Sequence, residues 1–259
     1  MVQSKKRLDQ LLVEKRLAGT RQRARGTIMA GLVRVDGKIV DKPGHLVNPS
    51  ASIDINGPDH PYVSRGGVKL EAALREFDID VRGLTILDVG ASTGGFTDCL
   101  LQHGAKKVVA VDVGYGQLAW SLRNDPRVLV VERTNIRHLS TLEIKENIDG
   151  ATIDTSFISL RIVVPSILRH LKKGDFILAL IKPQFEAGKG MVGKGGIVRD
   201  LGLQKRIVDD LIEFFSQSGL DVRGTFESPI QGAKGNREFF VYLKYHEKKD
   251  FKKNKKIFL

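Results

Sequence analysis

The sequence predicts an α/β protein built on a doubly wound, mostly parallel sheet with an antiparallel edge, preceded by a small α+β unit. Three observations predict it. Short apolar runs at 85–89, 108–112, 128–132, 151–154 and 176–181 alternate with helical stretches, the pattern of parallel strands joined by helical crossovers. Two further runs, 221–227 and 238–244, are separated by a short glycine-containing connection, as in an antiparallel pair at a sheet edge. A breaker-dense stretch, Asn56-Gly57-Pro58-Asp59-His60-Pro61, divides this region from what precedes it.

The elements follow in chain order. Leu8, Leu11 and Leu12 recur at helical spacing within 5–16, and Thr20 is placed to cap a second helix over 21–30 whose apolar side is Ala24 and Ile28. Leu32-Val33-Arg34-Val35, an Asp36-Gly37 turn and Lys38-Ile39-Val40 read as a hairpin. This places a compact unit at 1–58, a linker at 59–63, a larger domain at 64–246 and a basic tail at 247–259. Ser64 is a candidate cap for a helix carrying the stripe Leu70, Ala73, Leu74 and Phe77.

Charge is distributed unevenly. The 259 residues carry 42 Lys and Arg against 30 Asp and Glu. Residues 1–60 hold 11 basic and 6 acidic side chains, and 244–259 hold 7 and 2, so each end contributes +5 of the total +12. The stretch between, 24 against 22, is nearly neutral. Cations clustered at the ends suit a polyanion, because counterion release rewards them; a solvated basic tail is the plainer alternative. No apolar run approaches the ~20 residues of a membrane-spanning helix. The N-terminus lacks a signal-peptide pattern, and a single cysteine excludes an internal disulfide, which together point to the cytoplasm. The six histidines never recur at ligand spacing on one helix, so no metal centre is expected. Cys99 reads as a buried packing residue, and Tyr115 and Trp120 as packing and pocket wall.

Asp88-Val89-Gly90-Ala91-Ser92-Thr93-Gly94-Gly95-Phe96-Thr97 follows the first strand of the larger domain and opens a helix, the place where such sheets bind ligands. Asp112 ends the next strand, positioned to accept hydrogen bonds from ribose hydroxyls. The glycine spacing fails the G-x-G-x-x-G pattern of dinucleotide sites and suits a ligand carrying an amino acid, such as S-adenosylmethionine. Two more strands end in polar groups on the same rim: Asp154 within Asp154-Thr155-Ser156-Phe157, and Lys182 directly after Leu178-Ala179-Leu180-Ile181. A lysine in that position is either partly desolvated or snorkels to water. Lys69 and Glu238 are further candidates, though each alone reads more readily as a solvated charge than as part of a site.

Arg7-Leu8-Asp9, Leu17, Thr20-Arg21, Ala24, Ile28, Gly31, Val33, Val35 and Asp36-Gly37 resemble the S4-type RNA-binding domain, with Thr20 and Asp36 as mild departures from its serine and asparagine. That resemblance implies RNA contact through Lys5, Lys6, Arg7 and the row Arg21, Arg23 and Arg25. Lys69, Asp154, Lys182 and Glu238 match the Lys-Asp-Lys-Glu tetrad of FtsJ-type ribose 2′-O-methyltransferases. Asp112-Val113-Gly114-Tyr115-Gly116-Gln117-Leu118-Ala119-Trp120, Arg133-Thr134-Asn135 and Ser156-Phe157-Ile158-Ser159-Leu160 extend the match. Together with the N-terminal unit, the chain resembles the TlyA family from about residue 5 to 244.

The resemblance implies a Rossmann-like methyltransferase fold, S-adenosylmethionine as cofactor and a cytidine ribose of ribosomal RNA as substrate. It implies a cofactor site at Asp88, Gly90, Ala91, Ser92, Thr93, Gly94, Gly95, Phe96, Thr97, Asp112, Val113, Asn135 and Asp154. Lys182 is expected to act as base, helped by burial and by the like charge of Lys69, while Asp154 and Glu238 orient and Lys69 steadies the developing alkoxide. Arg65, Lys189 and Lys194 are candidate RNA contacts, the last two on a glycine-rich stretch, 186–196, that reads either as a lid or as an ordinary surface loop. A non-catalytic ribosome-binding factor is the alternative of a different class. A membrane-active hemolysin, the family's historical label, lacks a spanning segment and a clear basic amphipathic helix.

Overall fold

The computed structural model describes residues 4–29, 31–55, 60–141, 144–188, 190–193, 195–232 and 235–246. The tail at 247–259, Lys189, Lys194 and position 59 of the expected linker lie outside the described residues. Two compact units are present, residues 1–64 and 65–259.

In the first unit, β1 (Lys6–Arg7) leads into α1 (Leu8–Glu14), followed by α2 (Arg21–Met29), β2 (Val33–Val35), β3 (Lys38–Ile39), β4 (Leu46–Val47) and β5 (Ile53–Ile55). The first helix begins at Leu8 rather than at residue 5, because Lys6 and Arg7 pair antiparallel with Val47 and Leu46. Thr20 caps α2 by accepting the Arg23 N–H at 3.2 Å. The expected hairpin forms between β2 and β3, and β5 adds to the other side of β2. Leu8, Leu11, Leu12, Ala24, Ile28, Val33 and Val47 close the core, so the apolar sides of both helices face the strands.

The second unit runs α3 (Gly66–Glu76), β6 (Thr85–Val89), α4 (Gly95–Gln102), β7 (Lys107–Val111), α5 (Trp120–Arg123), β8 (Val128–Val131), β9 (Gly150–Ile153), α6 (Leu160–Ile167), β10 (Phe176–Ile181), α7 (Pro183–Glu186), α8 (Leu201–Gln217), β11 (Leu220–Glu227) and β12 (Phe239–Tyr245). Arg65, not Ser64, occupies the cap position of α3, and no side chain closes it. The seven strands are ordered β11-β12-β10-β9-β6-β7-β8. Six of them run in one direction, and β12 alone runs against them, antiparallel to both its neighbours. The expected antiparallel pair is present, but β12 is interior and β11 alone forms that edge. From β6 the chain winds outward through β7 and β8, then returns to lay β9 and β10 on the other side. The reversal opens a crevice at the carboxyl ends of β6 and β9. Strands β6, β9 and β10 are buried along their whole length, as parallel strands covered on both faces must be, and β10 is apolar throughout.

Candidate active site

The sheet register places the candidate groups. Val89 pairs with Ile153, Ala179 pairs with that same Ile153, and Ile181 pairs with Phe239. Gly90, Asp154, Lys182 and Glu238 each stand one residue beyond these partners, so four neighbouring strands deliver them to one rim.

Gly90 is held at φ +89°, and a Cβ built on it falls 2.7 Å from the Asp154 carbonyl oxygen. Only glycine permits so close an approach of these two strand ends. The Gly90 and Ala91 N–H groups both donate to Val111 O, tying the turn to β7. Asp112 then acts as a clamp: Oδ2 accepts the Ser92 N–H at 2.8 Å and Oδ1 accepts the Gly114 N–H at 2.7 Å. Its carboxylate thus shapes the loop, and each oxygen retains a lone pair for a further donor.

The side chains of the predicted cofactor loop divide in two. Ser92, Thr93 and Val113 are exposed. Asp88, Phe96 and Thr97 are instead sealed in the core, because Asp88 accepts from Thr97 at 2.7 Å and from Thr152 at 3.0 Å, while Phe96 stacks on Phe240. Burial pushes the Asp88 carboxyl up to about 7. Their side chains brace the loop rather than line it. Asn135 is exposed and caps the following 3-10 turn through the Arg137 N–H. Tyr115 and Trp120, expected to pack, are 68% and 76% exposed. Arg133 covers one face of Tyr115, 4.2 Å from the ring centre. Cys99 is buried, as expected.

The four charged groups form two ion pairs. Lys182 Nζ lies 2.5 Å from Asp154 Oδ1, an ionic contact without hydrogen-bond directionality, and donates to Ser156 Oγ at 3.1 Å. Lys69 Nζ donates to Glu238 Oε2 at 2.6 Å. The Lys69 and Lys182 side chains are each only 11% exposed and Glu238 3%, so both pairs are largely withdrawn from water. Each lysine has its own carboxylate, which offsets the repulsion between lysines that sequence reasoning invoked.

Three supporting residues escaped sequence reasoning. Ser156 takes the Lys182 hydrogen bond, and only its place two residues after Asp154 could have signalled it. Glu186 turns back onto the start of α6, accepting from Ser159 Oγ at 2.6 Å and Leu160 N–H at 2.8 Å, and burial raises its carboxyl above the usual range. Phe157 is 87% exposed with a left-handed backbone, φ +64°, and its ring leans on Phe185 at 4.8 Å. Alternating hydropathy gives no warning of an exposed phenylalanine.

Of the predicted RNA contacts, Lys5, Arg23, Arg25 and Arg65 are exposed. Lys6 pairs with Glu14, while Arg7 and Arg21 share the fully buried Asp9, whose carboxyl their guanidinium groups hold below its usual range. The described part of the glycine-rich stretch is anchored by a Gly193–Ile197 bridge. Among the described residues, no helix is long and apolar enough to cross a membrane, and no cluster of His, Cys, Asp or Glu could hold a metal ion.

Comparison with known proteins agrees with this fold. Residues 62–245 match the FtsJ-like methyltransferase family and residues 6–53 the S4 domain. Fold and family therefore define an enzyme, a methyltransferase carrying an S4 unit. The chain is 48% identical to YqxC of Bacillus subtilis, a provisionally named rRNA methyltransferase, over 94% of this chain and 87% of that one. It is 46% identical to the 16S/23S rRNA (cytidine-2′-O)-methyltransferase TlyA of Mycobacterium tuberculosis, over 92% and 89%. The solved structure of a provisionally named hemolysin from Streptococcus thermophilus shares 42% identity, covers 94% of this chain and 90% of its own, and superposes with a TM-score of 0.73. The chain belongs to the TlyA family.

Proposed function

We propose that the protein methylates the 2′-hydroxyl of a cytidine ribose in ribosomal RNA, in the cytoplasm, using S-adenosylmethionine. The observation that carries this reading is the pair of withdrawn lysine–carboxylate contacts on the rim beside the Gly90 turn. The residues fit the cofactor: the Gly90 cradle would be filled by any Cβ, exposed Ser92 and Thr93 follow it, and the Thr155 hydroxyl beside it is buried without a hydrogen-bond partner. Ser92, Thr93, Val113 and the free lone pairs of Asp112 would hold it. When bound, it supplies an electrophilic methyl group on a sulfonium.

The chain's own groups do the rest. A ribose hydroxyl is a weak nucleophile until its proton begins to leave. Once its own ammonium proton has passed to solvent, Lys182 takes the hydroxyl proton as the oxygen is methylated, with Asp154 and Ser156 fixing the amine. Lys69, held by Glu238, stabilises negative charge developing on the oxygen. Phe157 offers an exposed aromatic face close to Ser156 on which a base can stack. Arg7, Arg21, Arg23 and Arg25 hold phosphates in sequence-independent fashion.

The test is tritium transfer from labelled cofactor to ribosomal RNA from cells lacking the protein, followed by mapping of the modified ribose. Lys182→Ala should abolish incorporation and leave cofactor affinity nearly intact. Wild-type transfer by that variant removes lysine from the mechanism. Salt-sensitive binding to ribosomal particles without transfer by the unmodified protein would instead establish a non-catalytic factor.

A further inference from the structure

Glu238 reaches the rim from the connection between β11 and β12, and two residues there shape its position. Gly232 lies so close to the Glu238 carboxyl group that a Cβ built on it falls 1.8 Å from Oε1 and 2.4 Å from Cδ. No side chain fits at 232 while Glu238 keeps its place against Lys69. Gly232 is itself held by its N–H, which donates to Asn236 O at 2.8 Å, and the Glu238 carbonyl accepts the Ser228 N–H at 2.9 Å.

Asn236 is 2% exposed, and its amide faces a different segment. Oδ1 accepts the Val198 N–H at 3.1 Å, and Nδ2 donates to Gly196 O at 3.0 Å. Gln204 on α8, also buried, donates to Val198 O at 2.7 Å. One residue therefore closes the turn under Glu238 with its backbone and grips the glycine-rich segment entering α8 with its side chain. A buried amide with both ends engaged has a single orientation that satisfies it, so displacement of either segment must be felt by the other.

We propose that Gly232 and Asn236 are positioning residues for the Lys69–Glu238 pair, and that Asn236 couples the 196–198 segment to it. This rests on the reading of that pair as part of the methyl-transfer site. A shift of about 1 Å at a group facing the reacting atoms is enough to slow chemistry without weakening substrate binding.

The experiment is single-turnover methyl transfer with full-length protein, comparing wild type, Asn236→Ala, Gly232→Ala, Glu238→Gln and the Asn236→Ala/Glu238→Gln double variant. Asn236→Ala should lower the rate at saturating RNA about tenfold or more, while KM for RNA and affinity for S-adenosylhomocysteine stay within about twofold. The double variant should be no slower than Glu238→Gln alone, because Asn236 acts through Glu238. Multiplying effects, or a change confined to KM, overturn the proposal. If Asn236→Ala does not fold, Gly232→Ala enters the same cycle. If the unmodified protein transfers no methyl group to RNA, the functional reading fails and amide exchange decides the coupling. Glu238→Gln should then speed exchange of the Val198 and Gly232 N–H groups severalfold, and unchanged exchange refutes it.

Discussion

Replacing Asp88 with asparagine should change how stability depends on pH, with a size that follows from the geometry. The carboxyl group is fully enclosed and accepts from the Thr97 and Thr152 hydroxyls and from the Thr97 backbone N–H. Burial raises it from 3.8 to about 7, and the nearby charge of Asp154 adds to the rise. The folded chain holds this proton more tightly than the unfolded chain. The resulting stabilisation is fully present below about pH 4 and is lost as pH rises through 7. A gap of about three pH units corresponds to about 4 kcal/mol, an upper bound, because relaxation around the charged form reduces it. Asparagine preserves the shape, accepting from one threonine and donating to the other, and cannot ionise. Urea unfolding followed by far-UV circular dichroism, from pH 4 to pH 8, isolates the term as the difference between variant and wild type. Fluorescence is a poor probe, since the only tryptophan, Trp120, is already exposed. The variant should gain on the wild type by up to about 1.4 kcal/mol per pH unit as pH rises towards 7, and then level off. A difference that stays flat with pH would show that Asp88 does not hold its proton.

Gly90→Ala places a Cβ 2.7 Å from the Asp154 carbonyl oxygen, so affinity for S-adenosylhomocysteine, measured by calorimetry, should fall about tenfold or more. Asp9→Asn removes the charge that Arg7 and Arg21 share; despite the added positive charge, it should weaken ribosomal RNA binding severalfold in filter assays and lower the salt slope by about one. Stronger binding would show that Asp9 only neutralises. Phe157→Gly relieves a left-handed phenylalanine and should raise stability by on the order of 1 kcal/mol in urea, while KM for RNA increases.

The strands and the rim were legible because their signals are local. Buried parallel strands are mostly apolar, so 85–89, Asp88 notwithstanding, and 176–181 stand out with the bounds the structure gives them. Chemistry at the end of such a run is conspicuous, as with Asp154 and Lys182. What sequence could not provide was pairing across long separations. Lys69 and Glu238 are 169 positions apart, and nothing in either neighbourhood says that they touch. The same holds for Asn236 and Val198, and for the packing of Gly232 on a carboxylate. Asp88 and Asp112 show a second kind of blindness. Both are acidic residues at or near strand ends beside the glycine turn, yet one points into the core and the other clamps two loops. That difference lies in side-chain direction, which strand alternation fixes only once the sheet's faces are known.

The pairing also explains the uneven charge of the chain. With Lys69 offset by Glu238 and Lys182 by Asp154, the rim brings two cations and two anions together and exerts little net attraction on a polyanion. The region 61–243, at only +2, adds little more. Attraction must therefore come from residues that are not spent on catalysis: residues 244–259 carry +5 and residues 1–60 another +5. There Asp9 gathers Arg7 and Arg21 while Arg23 and Arg25 stay exposed. A free lysine pair at the reacting centre would draw phosphates into the place where a neutral ribose hydroxyl must enter. Neutralising those lysines locally, and putting the excess cations at the two ends of the chain, lets binding and chemistry be set independently.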